Sequence, residues 1–201
     1  MKNRIFVSLF FILGISGAFA QNFTGGITSG LIASTVWGDN LAGFRQAGLM
    51  VGGYVQYPIN ESLNFQPEIR FEALGSRDDV GIRGLRTRYI SFPILLNANL
   101  KLNINDKKYG IRLDLGPSIG YLLGANDTFS GVITTSQYKR IDPKIVGGTV
   151  FKISERLHFS TRLTLSVISI VTSSGRRNHC FSRQPGLCNY YATFALRYQL
   201  K

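Results

Sequence analysis

The chain has little charge and little that reacts: charged residues make up 17%, and there are two cysteines, two histidines, two methionines and one tryptophan in 201 residues. Two cysteines cannot build the disulfide framework of a coreless secreted miniprotein. Acidic residues are the scarcer sign, 11 against 23 Lys and Arg, for a formal net charge of +12. Beyond residue 20 no apolar run approaches the roughly 18 residues that a membrane helix needs. Phosphate loops, Cys/His metal spacings and paired catalytic carboxylates are missing as well, so no cofactor and no metal are expected. What the chain does have is 44% hydrophobic residues, 22 Gly, 14 Phe and 9 Tyr, a composition of strands and tight turns rather than of disorder or packed helices. Its length suits one domain.

Lys2 and Arg4 precede an apolar run from Ile5 to Phe19 that closes on Ala18-Phe19-Ala20. These are the parts of a secretory signal peptide over residues 1–20. Cleavage would leave Gln21 first, with no cysteine there to carry a lipid anchor.

From there, segment after segment alternates with period 2. Leu63, Phe65, Pro67, Ile69, Phe71 and Ala73 share one face, while Asn64, Gln66, Glu68, Arg70 and Glu72 share the other. Tyr109 to Leu123 does the same over a length that soluble strands seldom reach, since those usually run about 5 to 6 residues. Four more segments alternate well. Phe23 to Val36 and Ile141 to Ile153 alternate less cleanly, the second because Val146 and Val150 interrupt its polar face. The expectation is an all-β domain over 21–201: an eight-stranded antiparallel up-and-down transmembrane β-barrel in the outer membrane.

Connection lengths also alternate. Short turns are expected at Ile59 to Ser62, Lys101 to Lys108 and Ser154 to Arg156, and longer loops at Gly38 to Arg45, Gly75 to Arg86, Ala125 to Tyr138 and Thr172 to Cys188. Short turns belong on the periplasmic side, which puts both termini there. Pro67, Pro93, Pro117 and Pro143 oppose the reading, because each removes a donor from a sheet that has no edge.

Gly26 to Ser34 as G-x-x-x-G-L-x-x-S, Tyr57-Pro58-Ile59 with Leu63-Asn64-Phe65-Gln66-Pro67-Glu68, Tyr89-Ile90-Ser91-Phe92-Pro93, Gly116-Pro117-Ser118-Ile119-Gly120-Tyr121-Leu122-Leu123 and the closing Leu196-Arg197-Tyr198 together resemble the PorT-like outer-membrane β-barrels of bacteroidete bacteria. The resemblance implies an eight-stranded barrel, and its namesake is linked to protein secretion.

A barrel of eight strands is just wide enough for its own side chains. Inward Glu68, Arg70, Glu72, Arg112, Asp114, Asp142, Lys144, Arg162 and Arg197 are expected to pair there as an ion network, with a gated ion or proton path through the same residues as the sharper reading. Catalysis has thin support: His179 could act as a base beside Ser173, Ser174 or Ser182, and His158 lies near the inner rim, but a loop histidine among arginines is ordinarily just solvated, so the chain reads as no enzyme. Arg77, Arg83, Arg86, Arg88, Arg176, Arg177 and Arg183 lie in or beside external loops, where lipopolysaccharide is the anionic partner within reach and nucleic acid is not. Cys180 and Cys188, in the longest loop of an exported chain, are expected to form a disulfide. The residues thus favour a structural or docking barrel, with a subunit of a secretion or uptake complex as the alternative and a lipid-modifying barrel enzyme as the third reading.

Overall fold

A computed structural model describes residues 23–39, 43–78, 84–104, 107–127, 138–171, 179–181 and 186–200, with backbone alone at 101–104 and 107–109. The expected signal peptide lies outside these residues. Eight strands follow one another: β1 Thr24–Trp37, β2 Gln46–Pro58, β3 Leu63–Arg77, β4 Gly84–Ile104, β5 Lys107–Asp127, β6 Ile141–Lys152, β7 Leu157–Ser166 and β8 Cys188–Gln199. Each pairs antiparallel with the next, and β8 returns to β1 from Gly26↔Gln199 to Trp37↔Cys188, closing the barrel. There is no helix among the described residues.

Closure follows from the alternation. Every strand sends one parity inward, and the sheet hides polar and charged side chains while exposing apolar ones. Ile27, Leu49, Ile69, Ile94, Leu115, Ile145, Leu163 and Phe194, one from each strand, face outward and exposed, with Leu49 at 65% and Leu115 at 63%. A soluble monomer rarely leaves so continuous an apolar surface, whereas lipid requires one. Val146 and Val150 do point inward, among the polar residues.

Strand bounds correct the expected connections. β4 and β5 pair as far as Ile104↔Lys107, so Lys101 to Ile104, Lys107 and Lys108 belong to the strands and not to the expected turn. The ladder between β3 and β4 reaches Arg77↔Gly84, which takes Gly75 to Arg77 and Gly84 to Arg86 out of the expected loop. The other two described turns are set by side chains. Asn60 Oδ1 accepts hydrogen bonds from the amides of Ser62 at 2.9 Å and Leu63 at 2.8 Å, and Ser154 Oγ accepts one from the Leu157 amide at 3.2 Å.

The prolines have a physical account. The β2–β3 ladder skips from Tyr54↔Glu68 to Tyr57↔Phe65, the β3–β4 ladder from Pro67↔Ile94 to Arg70↔Ser91, and the β4–β5 ladder from Pro93↔Ser118 to Leu96↔Leu115. Pro67, Pro93 and Pro117 sit in these three gaps in turn, each paired on its other side, so each missing donor interrupts one ladder only. Pro143 stands near the start of β6, and its carbonyl accepts from the Val167 amide at 2.8 Å.

The hydrophobic core is a plug at the loop end, not a central core. Inward Ile32, Val36, Met50, Leu74, Leu85, Leu122 and Ala195 pack with Tyr138 and Ile170. Ile170 belongs to the segment that follows β7 and runs on between the residues before β6 and those before β8, where its amide donates to Leu187 O at 2.8 Å and its carbonyl accepts from the Lys139 amide at 2.7 Å. Tyr138 donates to Asp127 Oδ2 at 3.1 Å, and burial together with that carboxylate raises its phenol above the ordinary value.

Candidate functional site

Below the plug, the lumen holds all nine of the expected inward charges. They form two clusters stacked along the barrel axis. In the cluster nearer the turns, the Arg162 guanidinium of β7 reaches across to β3 and donates to both oxygens of Glu68 at 2.9 Å, while its Nε donates to Asp114 Oδ2 of β5 at 3.0 Å. Two-pronged contacts of this kind suit the planar guanidinium fork, which ammonium groups lack. Arg197 of β8 adds a 3.4 Å contact to Asp114 and donates to Gln66 Oε1 at 2.7 Å, lying 4.2 Å above the centre of the Tyr54 ring. Asn97 donates to the remaining Asp114 oxygen at 2.8 Å, and Gln66 hydrogen-bonds Glu68.

The upper cluster centres on Lys144 of β6. Its ammonium stands 3.2 Å from Glu72 Oε2 and 3.8 Å from Asp142 Oδ2, donates to Ser91 Oγ at 3.2 Å and lies 4.5 Å from the centre of the Tyr89 ring. Glu72 also accepts from the hydroxyls of Tyr191 and Ser91, each at 2.7 Å, and Asp142 accepts from Asn189 at 2.9 Å. Arg70 links the clusters, 3.4 Å from Glu68 on one side and 3.4 Å from Glu72 on the other.

Room for these long side chains comes from the neighbouring strand. A Cβ on Gly52 of β2 would lie 2.7 Å from Arg70 Cγ, one on Gly148 of β6 2.5 Å from Arg162 Cγ, and one on Gly120 of β5 2.9 Å from Lys144 Nζ. Gly26 makes the same allowance for Tyr54, the ring beneath Arg197. Three lumen cations thus lie directly over inward glycines, and the fourth reaches one through Tyr54.

Arg112 departs from the pattern. Its side chain is 14% exposed at the turn end, its nearest carboxylate contact is 3.8 Å to Asp114, and its hydrogen bond to Gln56 is long at 3.4 Å. Counting it, five cations face four carboxylates; within the buried set, Arg70, Lys144, Arg162 and Arg197 balance Glu68, Glu72, Asp114 and Asp142. Burial of charge at this density is tolerable only with such pairing.

Sequence reasoning put Gln66 on the inward face but left it, with Tyr54, Tyr89, Ser91, Asn97, Asn189 and Tyr191, out of the network that these residues complete. Their signal was an aromatic or amide on an otherwise charged face.

At the loop end, Cys180 and Cys188 form a disulfide with their Cα atoms 5.9 Å apart. Its sulfurs are shielded rather than loop-exposed, as both residues are almost fully buried. The bond ties β8 to a short piece that pairs with the plug through Ile168↔His179 and through the Cys180 amide on Val167 O at 3.1 Å. His179 is exposed there, and Ser173, Ser174 and Ser182 lie outside the described residues, as do Arg83, Arg176, Arg177 and Arg183. Arg77, Arg86 and Arg88 are described, and they project outward from the ends of β3 and β4, beside the loop that joins them. His158 opens β7 at the turn end. Among the described residues no three His, Cys, Asp or Glu side chains gather as a metal site.

The barrel is similar to three solved membrane barrels. Against Ail, the attachment invasion locus protein of Yersinia pestis, identity is 13% and the TM-score 0.48, over 90% of this chain and 100% of that one. Against the N-terminal β-barrel domain of Pseudomonas aeruginosa OprF the values are 8% and 0.46, over 90% and 98%. Against Neisserial surface protein A they are 11% and 0.45, again over 90% and 98%. No curated protein matches the chain. Residues 17–172, well over half of the sequence, match the family described as outer membrane protein beta-barrel domain, and the protein belongs to that family.

Proposed function

We propose that this protein is a closed, non-conducting barrel that serves the outer membrane as a structural and docking component, without catalysis, with both termini in the periplasm and its basic loop end outward. The observation that carries the reading is the double seal of the lumen: a charge-balanced ion network across the middle and an apolar plug at the loop end. Such a barrel offers a partner its ends and its outer wall, not its interior. The short turns at the end that holds both termini support the orientation. An epitope after Lys201 should stay hidden from antibody on intact cells, while one inserted after Gly43, in the β1–β2 loop, should be stained; the opposite pattern would overturn the orientation.

The PorT-like motifs favour a second reading, a subunit of an outer-membrane secretion or uptake complex. Co-purification from native membranes separates the two: a stoichiometric protein partner supports the complex, and its absence supports the solitary barrel.

A further inference from the structure

Arg86 and Arg88 stand one above the other on the outward face of β4, just beyond the apolar belt. Their neighbours on that face are small. Gly75 and Ala73 flank them from β3, and Asn126 and Gly124 from β5. The wall is therefore hollow, and a groove of about 590 Å3 runs beside the two guanidinium groups, bounded toward the bilayer by Leu49 and Phe71. Arg77 extends the same basic face by one step on β3. Among the described residues none of these three arginines has an acidic partner, although carboxylates pair the buried cations inside.

We propose that this groove binds one phosphorylated glycolipid of the outer leaflet, its phosphate on Arg86 and Arg88 and an acyl chain against Leu49 and Phe71. The assignment rests on the orientation proposed above, which puts this end of the barrel in the outer leaflet. Charge complementarity selects the ligand. Guanidinium groups without carboxylates take phosphate in two-pronged fashion. A free inorganic anion would gain nothing from the apolar wall, and a neutral lipid would leave the cations unmatched. A strand-adding peptide has no edge to join, because the barrel is closed.

Native mass spectrometry of the full mature chain, released from detergent with purified lipid A, tests this. Two variants act on different halves of the site. Arg86→Gln with Arg88→Gln removes the charge and keeps the hollow. Gly124→Leu fills the hollow and keeps the charge, with nothing within 4 Å of the added Cβ. The wild type should retain one lipid A per chain, falling about fivefold for each arginine removed. Gly124→Leu, and the wild type offered dephosphorylated lipid A, should fall comparably. Equal retention by the wild type and the double glutamine variant would overturn the site, and so would equal retention of phosphatidylglycerol, which shares the phosphate but not the glycolipid. The glutamine variant changes exposed side chains only, so it decides the matter even if Gly124→Leu fails to fold. Epitope staining reports on orientation separately: a stained C-terminus with intact lipid retention would contradict the placement in the outer leaflet and leave the groove standing.

Discussion

Arg162 touches Glu68 and Asp114 together, so its removal leaves two buried carboxylates short of a partner. Arg162→Met should lower the unfolding free energy by about 3–5 kcal/mol, measured by urea titration in detergent with the heat-dependent gel shift as readout. Arg112→Met belongs to another class, because Arg112 is partly solvated and only loosely paired; a loss of about 1 kcal/mol or less is expected. Equal losses would show that the two positions share one environment. Gly148→Ala should destabilise without removing any charge, by about 1–3 kcal/mol, since its Cβ meets both Arg162 Cγ and the Thr161 carbonyl. Gly110→Ala, where a Cβ meets nothing within 4 Å, should be tolerated. Inward parity for these charges was legible from period 2 alone. Partner choice was not, because Arg162 and Glu68 are 94 residues apart and meet only through the stagger of the closed sheet. Inward glycines read as small members of a polar face, and only the folded lumen shows that they make room for arginine and lysine.

Strand number and facing were readable wherever a strand crosses apolar surroundings, since one face must then be greasy. At Arg86 to Arg88 both faces are polar and the alternation fades, yet backbone pairing continues past them to Gly84, so hydrogen bonding outlasts the hydrophobic signal at that end of β4. At the other end the alternation itself runs on through Leu102 and Ile104, and the lysine and asparagine that alternate with them, read as a turn, are the polar members of the strand. Val167 to Val171 gave a different signal, an apolar run that stops alternating, and it runs on beyond β7 between Lys139 and Leu187, where Ile170 joins the plug. The disulfide fastens that element more than it holds the barrel. Cys180→Ser with Cys188→Ser should cost about 2.5 kcal/mol at most, the chain-entropy figure for a short loop, and should leave the gel shift in place. Intact mass after alkylation without reductant should show no addition on the wild type, and two additions after reduction. Two additions before reduction would contradict the bridge.

An exposed apolar belt around a buried ionic interior is the inverse of a soluble protein, and only a bilayer makes both halves stable. The mature chain should therefore fractionate with the outer membrane and require detergent for extraction; recovery as a soluble periplasmic monomer would contradict it. A lumen sealed twice, by the ion network and by the plug, passes no current, so a planar bilayer containing the purified barrel should show no steady conductance at neutral pH in high salt. Porin-sized steps that scale with bulk salt would contradict it.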